Sequence, residues 1–203
     1  MGDETVRTKP ADRRVQRTRK HLHEALLSRI LEKRYDAITV QEILDRADIG
    51  RSTFYTHFRG KDELLVSGFQ RFKDSLESVD AAPSAASRPS YERIVDSSLA
   101  MFEHAARYRD VHRALHGSRA ESLVRRNLHA VFYDVIGRRV EIELRGRTPR
   151  GCRVPPDLLT RYLVSTQIAV LNWWTEAREP MAAEDADAAY RRLVLPVLAS
   201  VFD

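Results

Sequence analysis

The sequence is poor in cysteine and in long apolar runs. It has one cysteine, Cys152, among 203 residues, which excludes a disulfide within the chain and any site built from several cysteines. The longest apolar stretch, 163–174, is interrupted by polar residues and falls short of the roughly 20 apolar residues of a membrane-spanning helix. The N-terminus is polar and basic with no apolar run behind it, unlike a secretory signal. We therefore expect a soluble cytoplasmic protein with no membrane partner.

Apolar residues are nevertheless numerous enough for a folded core. Hydrophobic residues make up 43% of the chain and charged residues 31%, a mixture typical of globular proteins. Apolar residues recur at spacings of three and four between clusters of Gly and Pro, and strand signals are scarce, which predicts an all-α fold. We expect helices near 12–33, 40–47, 51–58, from 61 onward, and near 91–106, 108–115, 118–145, 156–177 and 182–201. Ser90 is the predicted N-cap of the fifth helix.

Positive charge is concentrated near the N-terminus. Residues 7–20 contain seven Lys or Arg and one Asp, a local charge of +6, whereas the whole chain carries +5. The remaining residues therefore sum to about −1. Such asymmetry favours a polyanionic partner, either nucleic acid or an anionic surface. Residues 7–17 are open to two interpretations: an arm that follows the DNA backbone or minor groove, or a disordered tail that raises local affinity.

Residues 39–58 have the pattern of a helix-turn-helix. Thr39 and Glu42 form a predicted capping box at the start of a short helix. The break at 48–50 contains an apolar residue, Ile49, and a second short helix follows. On that second helix Phe54 and Phe58 are four residues apart and are predicted to face inward. Its other side chains, at 51–53 and 55–57, are hydrogen-bonding groups suited to contacts with base edges and phosphates.

The segment from Thr18 to Leu65 resembles the DNA-binding domain of the TetR family of bacterial transcriptional regulators. The resemblance covers about a quarter of the chain and depends on four runs: Thr18-Arg19, 35–40 (YDAITV), 51–58 (RSTFYTHF) and 61–65 (KDELL). Two positions depart from the family pattern. Gly50 stands where the family usually has Ser or Asn as N-cap, and Arg34 stands where Gly is common.

The resemblance implies a sequence-specific transcriptional regulator, more often a repressor, that binds a palindromic double-stranded DNA operator. It implies that Thr18, Tyr55, His57 and Lys61 contact phosphates, and we assign base contacts to Arg51, Ser52 and Thr56. Thr39, Gln41 and Thr53 complete the predicted DNA-binding set. The predicted domains are 1–65, the basic arm with the helix-turn-helix, and 66–203, a helical domain for ligand binding and dimerisation.

The resemblance also implies a homodimer and a small-molecule effector. The sequence favours a dimer independently, since the 156–177 helix is apolar on nearly every side and, with 182–201, needs a second surface to cover it. Aromatic and Met side chains on helices expected around the centre of the second domain are candidates for the ligand site, although such residues are more often core. The predicted ligand-binding residues are Phe69, Phe72, Met101, Phe102, His129, Phe132, Tyr133 and Trp173.

Other classes of function have weaker signals. His112 and His116 have a spacing found in metal sites, with His104 and His129 as further candidates, but no carboxylate motif accompanies them. Cys152 lies between arginines in a loop and is either an exposed thiol or a redox sensor. No Gly-rich phosphate loop, nucleophile elbow or zinc-protease motif is present, so we expect neither an enzyme nor a cofactor. The remaining alternative is a helical interaction or membrane-surface module with a basic arm.

Overall fold

The computed structural model describes residues 10–80, 89–145, 154–177 and 181–202, and in these ranges the chain has nine α-helices and no β-strand. The helices are α1 Pro10–Glu32, α2 Val40–Ala47, α3 Arg51–His57, α4 Lys61–Asp80, α5 Ser98–Arg107, α6 Arg109–Leu115, α7 Arg119–Arg145, α8 Pro156–Glu176 and α9 Ala183–Phe202. Tyr35–Ala37 and Ser90–Val95 form 3-10 helices. The all-α prediction is confirmed. None of the described helices is long and apolar enough to cross a membrane.

The chain divides into two compact units. Unit 1 comprises Met1–Gly68 and Asp110–Leu123, and unit 2 comprises Phe69–Arg109 and Val124–Asp203. The sequence predicts a boundary after residue 65, with a second domain over 66–203. The structure differs in placing 110–123, which include most of α6 and the first residues of α7, in unit 1. Cys152 lies outside the described residues.

Unit 1 is built around apolar side chains at helical spacing. The buried residues from α1, α2, α3 and α4 and from their connections are Leu22, Ala25, Leu26, Ile30, Tyr35, Ile38, Ile43, Leu44, Phe54, Phe58, Leu64 and Leu65. The first and fourth helices approach closely at Gly68, where an added Cβ would overlap the imidazole of His23. Glycine is therefore the residue that lets the two helices come together at this point.

The basic segment is helical where the structure describes it. Helix α1 begins at Pro10, a residue suited to the first helical turn because its missing N–H would have no partner there. Residues 10–17 are therefore part of α1 rather than a disordered tail, and residues 7–9 lie outside the described ranges. The predicted start near residue 12 is close to the observed one.

The described residues of unit 2 form one cluster of buried apolar side chains. It draws on α4, α5, α7, α8 and α9 and includes Phe72, Met101, Phe102, Phe132 and Trp174. Helix α8 buries one side, whereas Leu158, Tyr162 and Trp173 remain exposed on the other.

The predicted helix over 91–106 is interrupted. The chain forms a 3-10 helix over Ser90–Val95, turns at 96–97, and only then begins α5. The side chains of Arg191 and Ser98 donate hydrogen bonds to the Val95 carbonyl, at 2.9 and 2.7 Å. The hydrogen bond from Ser98 is local, whereas Arg191 reaches the carbonyl from α9. The break is therefore stabilised in part by a tertiary contact that local periodicity does not reveal. The N-cap prediction for Ser90 is wrong, since Ser90 is the first residue inside the 3-10 helix.

Candidate nucleic-acid interface

The turn between α2 and α3 is fixed by local hydrogen bonds. The Glu42 amide donates to the Thr39 hydroxyl at 3.3 Å, and the Thr39 amide donates to the Glu42 carboxylate at 2.8 Å, which confirms the capping box. Helix α2 ends at Ala47, and its C-cap Asp48 has a φ of 53°, the left-handed conformation that reverses the chain. The Ile49 amide then donates to the Leu44 carbonyl at 3.2 Å. These contacts set the direction in which α3 leaves the turn.

Helix α3 has one buried and one exposed side. Phe54 is 0% exposed and Phe58 is 2% exposed, as their spacing predicted. The opposite side exposes a row of polar and amphipathic side chains: Arg51, Ser52, Thr53, Tyr55 and Thr56. His57 is half-buried at the end of the helix. An exposed row of hydrogen-bonding groups on a short, firmly held helix can enter a major groove.

Two side chains of this row pack along the helix. The Arg51 guanidinium lies 5.9 Å from the centre of the Tyr55 ring, and Tyr55 is 50% exposed. The Thr56 hydroxyl donates to the Ser52 carbonyl at 2.9 Å, which leaves its lone pairs facing outward as acceptors. Arg51 thus supplies a positive charge on this face, next to the ring of Tyr55.

The flanking residues of the predicted set lie around α3. Thr18 is half-buried on α1. Thr39 is exposed, with its hydroxyl engaged in the capping box. Gln41 is exposed on α2 and donates to Asp45 at 2.7 Å. None of these contacts tests the DNA-binding assignments, which stay predictions.

Lys61 makes contacts that the sequence did not reveal. Its Nζ donates to the carbonyls of Ile38 at 2.6 Å, Tyr35 at 2.7 Å and Asp36 at 3.3 Å, and it lies 4.6 Å from the Tyr35 ring centre. Burial lowers the pKa of this ammonium. Lys61 therefore fastens the start of α4 to the 3-10 turn before α2, a geometry that turns its charge toward the protein.

The neighbouring Asp62 joins three segments of unit 1. Its carboxylate accepts a hydrogen bond from the Tyr35 hydroxyl at 2.6 Å and from the Arg119 guanidinium at 3.0 Å. Burial, followed by the hydrogen bond to Asp62, raises the pKa of the Tyr35 phenol. Sequence analysis missed Arg119, and no local signal identifies it because its partner lies 57 residues away.

Glu42 has a charged partner besides its capping role. The Lys33 ammonium donates to the Glu42 carboxylate at 2.5 Å. This hydrogen bond, with those from the Thr39 amide and hydroxyl, lowers the pKa of Glu42 to about 2. Because the pKa is depressed in the folded state, the stabilisation is present above the usual carboxyl pKa of about 4.5 and is lost as pH falls through about 2.

We expect Glu42→Gln to lower the Tm at neutral pH, because glutamine keeps the capping hydrogen bonds but not the charge. The Tm difference from wild type should stay constant above about pH 4.5 and shrink as pH falls toward about 2. Circular dichroism melts across this range measure it, with the exposed Glu103 changed to Gln as control. A Tm difference that does not vary with pH would contradict the assignment.

The predicted ligand-binding residues separate into three groups. Phe72, Met101, Phe102 and Phe132 are buried in the core of unit 2. Phe69 and Tyr133 pack partly against that core, and the Tyr133 hydroxyl donates to Asp157. His129 and Trp173 are exposed. His129 and Trp173 therefore lie outside the core of unit 2. The adjacent Trp174 is the inward tryptophan, because one residue along an α-helix turns a side chain by about 100°.

The histidines do not form the cluster considered from the sequence. His112 is half-buried on α6, and burial lowers its pKa. His116 lies beyond the end of that helix and pairs with Glu121 at 3.2 Å. Among the described residues no three His, Cys, Asp or Glu side chains lie together as metal ligands would.

Comparison with known proteins agrees with the helix-turn-helix formed by α2 and α3. Residues 25–67 match the family model for bacterial regulatory proteins of the tetR family. The uncharacterized HTH-type transcriptional regulator YxbF of Bacillus subtilis (strain 168) is 44% identical over 69 residues, which are 34% of this chain and 18% of YxbF. The match thus spans less than a fifth of that relative.

Solved structures match almost the whole chain. A TetR transcriptional regulator from Streptococcus agalactiae 2603V is 26% identical with a TM-score of 0.56, covering 91% of this chain and 97% of its own. A structure from Syntrophomonas wolfei assigned to the same family has a TM-score of 0.72 at 15% identity, covering 91% and 96%. Residues 25–67, which include the helix-turn-helix, thus match the tetR family model, and over nine-tenths of the chain the fold is similar to that of solved TetR-family regulators.

Proposed function

We propose that this protein is a sequence-specific DNA-binding transcriptional regulator that represses genes as a homodimer and responds to a small molecule. The observation that carries the proposal is the exposed polar face of α3, held in place by Phe54, Phe58 and the capped α2. Members of the family are generally not enzymes, and we propose no catalytic activity.

The proposed contacts follow from the geometry of α3. Arg51 lies in the first turn, where side chains of a recognition helix reach base edges, and its guanidinium suits a guanine. Ser52 and Thr56 supply further base contacts from the same face. Tyr55 and His57, with Thr18 from α1, supply phosphate contacts. Lys61 contributes by holding the start of α4 against the 3-10 turn rather than through a free ammonium.

The proposed dimer uses the exposed apolar side of α8 and α9. Leu158, Tyr162 and Trp173 are exposed on α8 and Leu193 on α9, and the Tyr162 hydroxyl donates to the Leu193 carbonyl at 3.4 Å. These residues form a patch across two neighbouring helices, and large exposed apolar patches mark interaction sites. A two-fold dimer implies a palindromic operator with half-sites about 34 Å apart.

Selection of bound duplexes from a random pool tests the function directly. A regulator enriches one palindromic sequence, and its specific binding persists when added salt removes nonspecific binding. An interaction or membrane-surface module would instead bind anionic vesicles and random DNA to similar extents and lose both with salt. Repression is then tested with a reporter gene placed behind the selected operator.

We expect Arg51→Ala to weaken binding to the operator by about 1–3 kcal/mol more than it weakens binding to random DNA, because a base contact is lost. Fluorescence anisotropy with both duplexes at one salt concentration measures the two losses. Equal losses would make Arg51 a phosphate ligand and leave base contacts to Ser52 and Thr56.

Tyr55→Phe is the matched comparison one turn along the same face. Removal of one neutral hydrogen bond to a phosphate weakens both duplexes alike, by about 1 kcal/mol. If instead the Tyr55→Phe protein unfolds at a lower temperature and binds both duplexes normally, Tyr55 has a packing role.

A further inference from the structure

The carboxamide of Gln167 is buried in unit 2 without a partner for either polar atom. Gln167 lies on α8 and is 0% exposed, and within the described part of the chain neither its Nε2 nor its Oε1 makes a hydrogen bond. A buried donor and a buried acceptor that both lack partners are costly, and a carboxamide cannot escape the cost by changing its charge. Such a group indicates either a function or a bound molecule.

The side chains along the same face of α8 are apolar or already satisfied. Leu159, Leu163, Val164, Val170, Leu171 and Trp174 are buried there with Gln167. The remaining polar member, Thr160, donates its hydroxyl to the Pro156 carbonyl at 2.9 Å. None of these α8 residues is ionisable, so the only unpartnered hydrogen-bonding atoms on the buried face of α8 are the two of Gln167.

Aromatic side chains pack against α8 on both sides of Gln167. The Tyr190 hydroxyl donates to the Leu163 carbonyl, one turn before Gln167, at 3.4 Å. Two turns after Gln167, the Trp174 ring meets Phe102 edge to face, with centres 5.7 Å apart. The Phe102 and Tyr190 rings are themselves 6.3 Å apart. Along α8, Gln167 thus lies between Leu163, which Tyr190 contacts, and Trp174, which Phe102 contacts.

We infer that Gln167 is the hydrogen-bonding residue of a small-molecule site in unit 2. Its ligand is uncharged and largely apolar, and carries a donor beside an acceptor, as a carboxamide or lactam does. That pair matches the two unpartnered atoms of Gln167, and an uncharged ligand fits because the α8 face supplies no counter-charge. The inference rests on the proposed ligand-responsive function and names the chemical class of the effector.

Benzamide and toluene are suitable probes, because they are similar in size and only benzamide carries the amide. Calorimetric titration of the full chain without DNA gives the ratio of their affinities. In Gln167→Met, which keeps the side-chain length and removes both polar atoms, the preference for benzamide over toluene should fall about fivefold, the effect of one net hydrogen bond. Gln70→Met, at an exposed glutamine of unit 2, should leave the ratio unchanged.

An unchanged ratio in Gln167→Met overturns the inference. If that variant fails to fold, wild-type protein labelled with ¹⁵N-glutamine decides the question. The chain has four glutamines, and the buried Gln167 is identified by the slowest amide exchange. Benzamide must slow that exchange further than toluene does, and equal exchange with the two probes overturns the inference. DNA binding is measured separately, so failure of the proposed function and failure of this site give different results.

Discussion

Phe54→Ala should lower the free energy of unfolding by about 3–5 kcal/mol, the usual cost of truncating a buried phenylalanine. Phe54 is 0% exposed, and its ring lies 5.7 Å from Phe58 and 5.2 Å from Tyr55. Helix α3 has only seven residues, and so short a helix depends on packing rather than on its own hydrogen bonds. A loss of this size is a large part of the 5–15 kcal/mol typical of a folded domain.

Urea unfolding followed by circular dichroism measures the loss, because the signal reports the helices of both units. Thr53→Ala is the matched control, since Thr53 adjoins Phe54 on the exposed side of α3 and should change stability by less than about 0.5 kcal/mol. Equal effects of the two substitutions would show that α3 is not held by its apolar side. The exposed face that we propose binds DNA would then have no rigid support.

The helix-turn-helix was predictable because its signals are local. The capping box of Thr39 and Glu42, the turn around Ile49 and the spacing of Phe54 and Phe58 each involve residues within five positions of one another. Helix caps and the helical spacing of apolar residues depend on residues that are close together in the sequence, so a local sequence pattern predicts them. The bounds of α2 and α3 were predicted to within about one residue for the same reason.

Features set by distant partners were not predictable. The interruption before α5 depends on Arg191, which is 96 residues from the carbonyl that it binds. Residues 110–123 lie in unit 1, where Arg119 pairs with Asp62. The carbonyls that accept hydrogen bonds from Lys61 are more than 20 residues away in the sequence. A periodic pattern shows that a side chain faces inward but does not show which group it meets there.

The candidate ligand site shows the same limit. Aromatic residues at helical spacing indicated Phe102 and Phe132 correctly as interior residues, but Gln167 entered the sequence analysis only as part of an interrupted apolar run. One signal was available: a polar residue in phase with Leu163, Val170 and Trp174 lies on their buried face. Whether its amide has partners depends on neighbouring helices and is visible only in the fold.

Trp173→Ala should raise the dimer dissociation constant by roughly 30-fold or more, the effect of removing a hot-spot tryptophan worth about 2 kcal/mol. Trp173 is 56% exposed, whereas Trp174 is buried and donates its indole N–H to the Met181 carbonyl at 2.9 Å. The two adjacent tryptophans thus have separate roles, one in the core of unit 2 and one on its exposed apolar patch. Sedimentation equilibrium across a concentration series measures the dissociation constant.

Leu31→Ala is the control, because Leu31 is also 56% exposed but lies on α1. It should leave the dissociation constant unchanged, and an equal effect of both substitutions would remove the α8 and α9 patch from the interface. DNA provides a second readout. A palindromic operator needs both recognition helices. At protein concentrations near the raised dimer dissociation constant, Trp173→Ala should therefore strongly weaken binding to the full operator. A duplex with one half-site needs only one α3 and should bind the variant and the wild type equally, because the substitution leaves that helix unchanged.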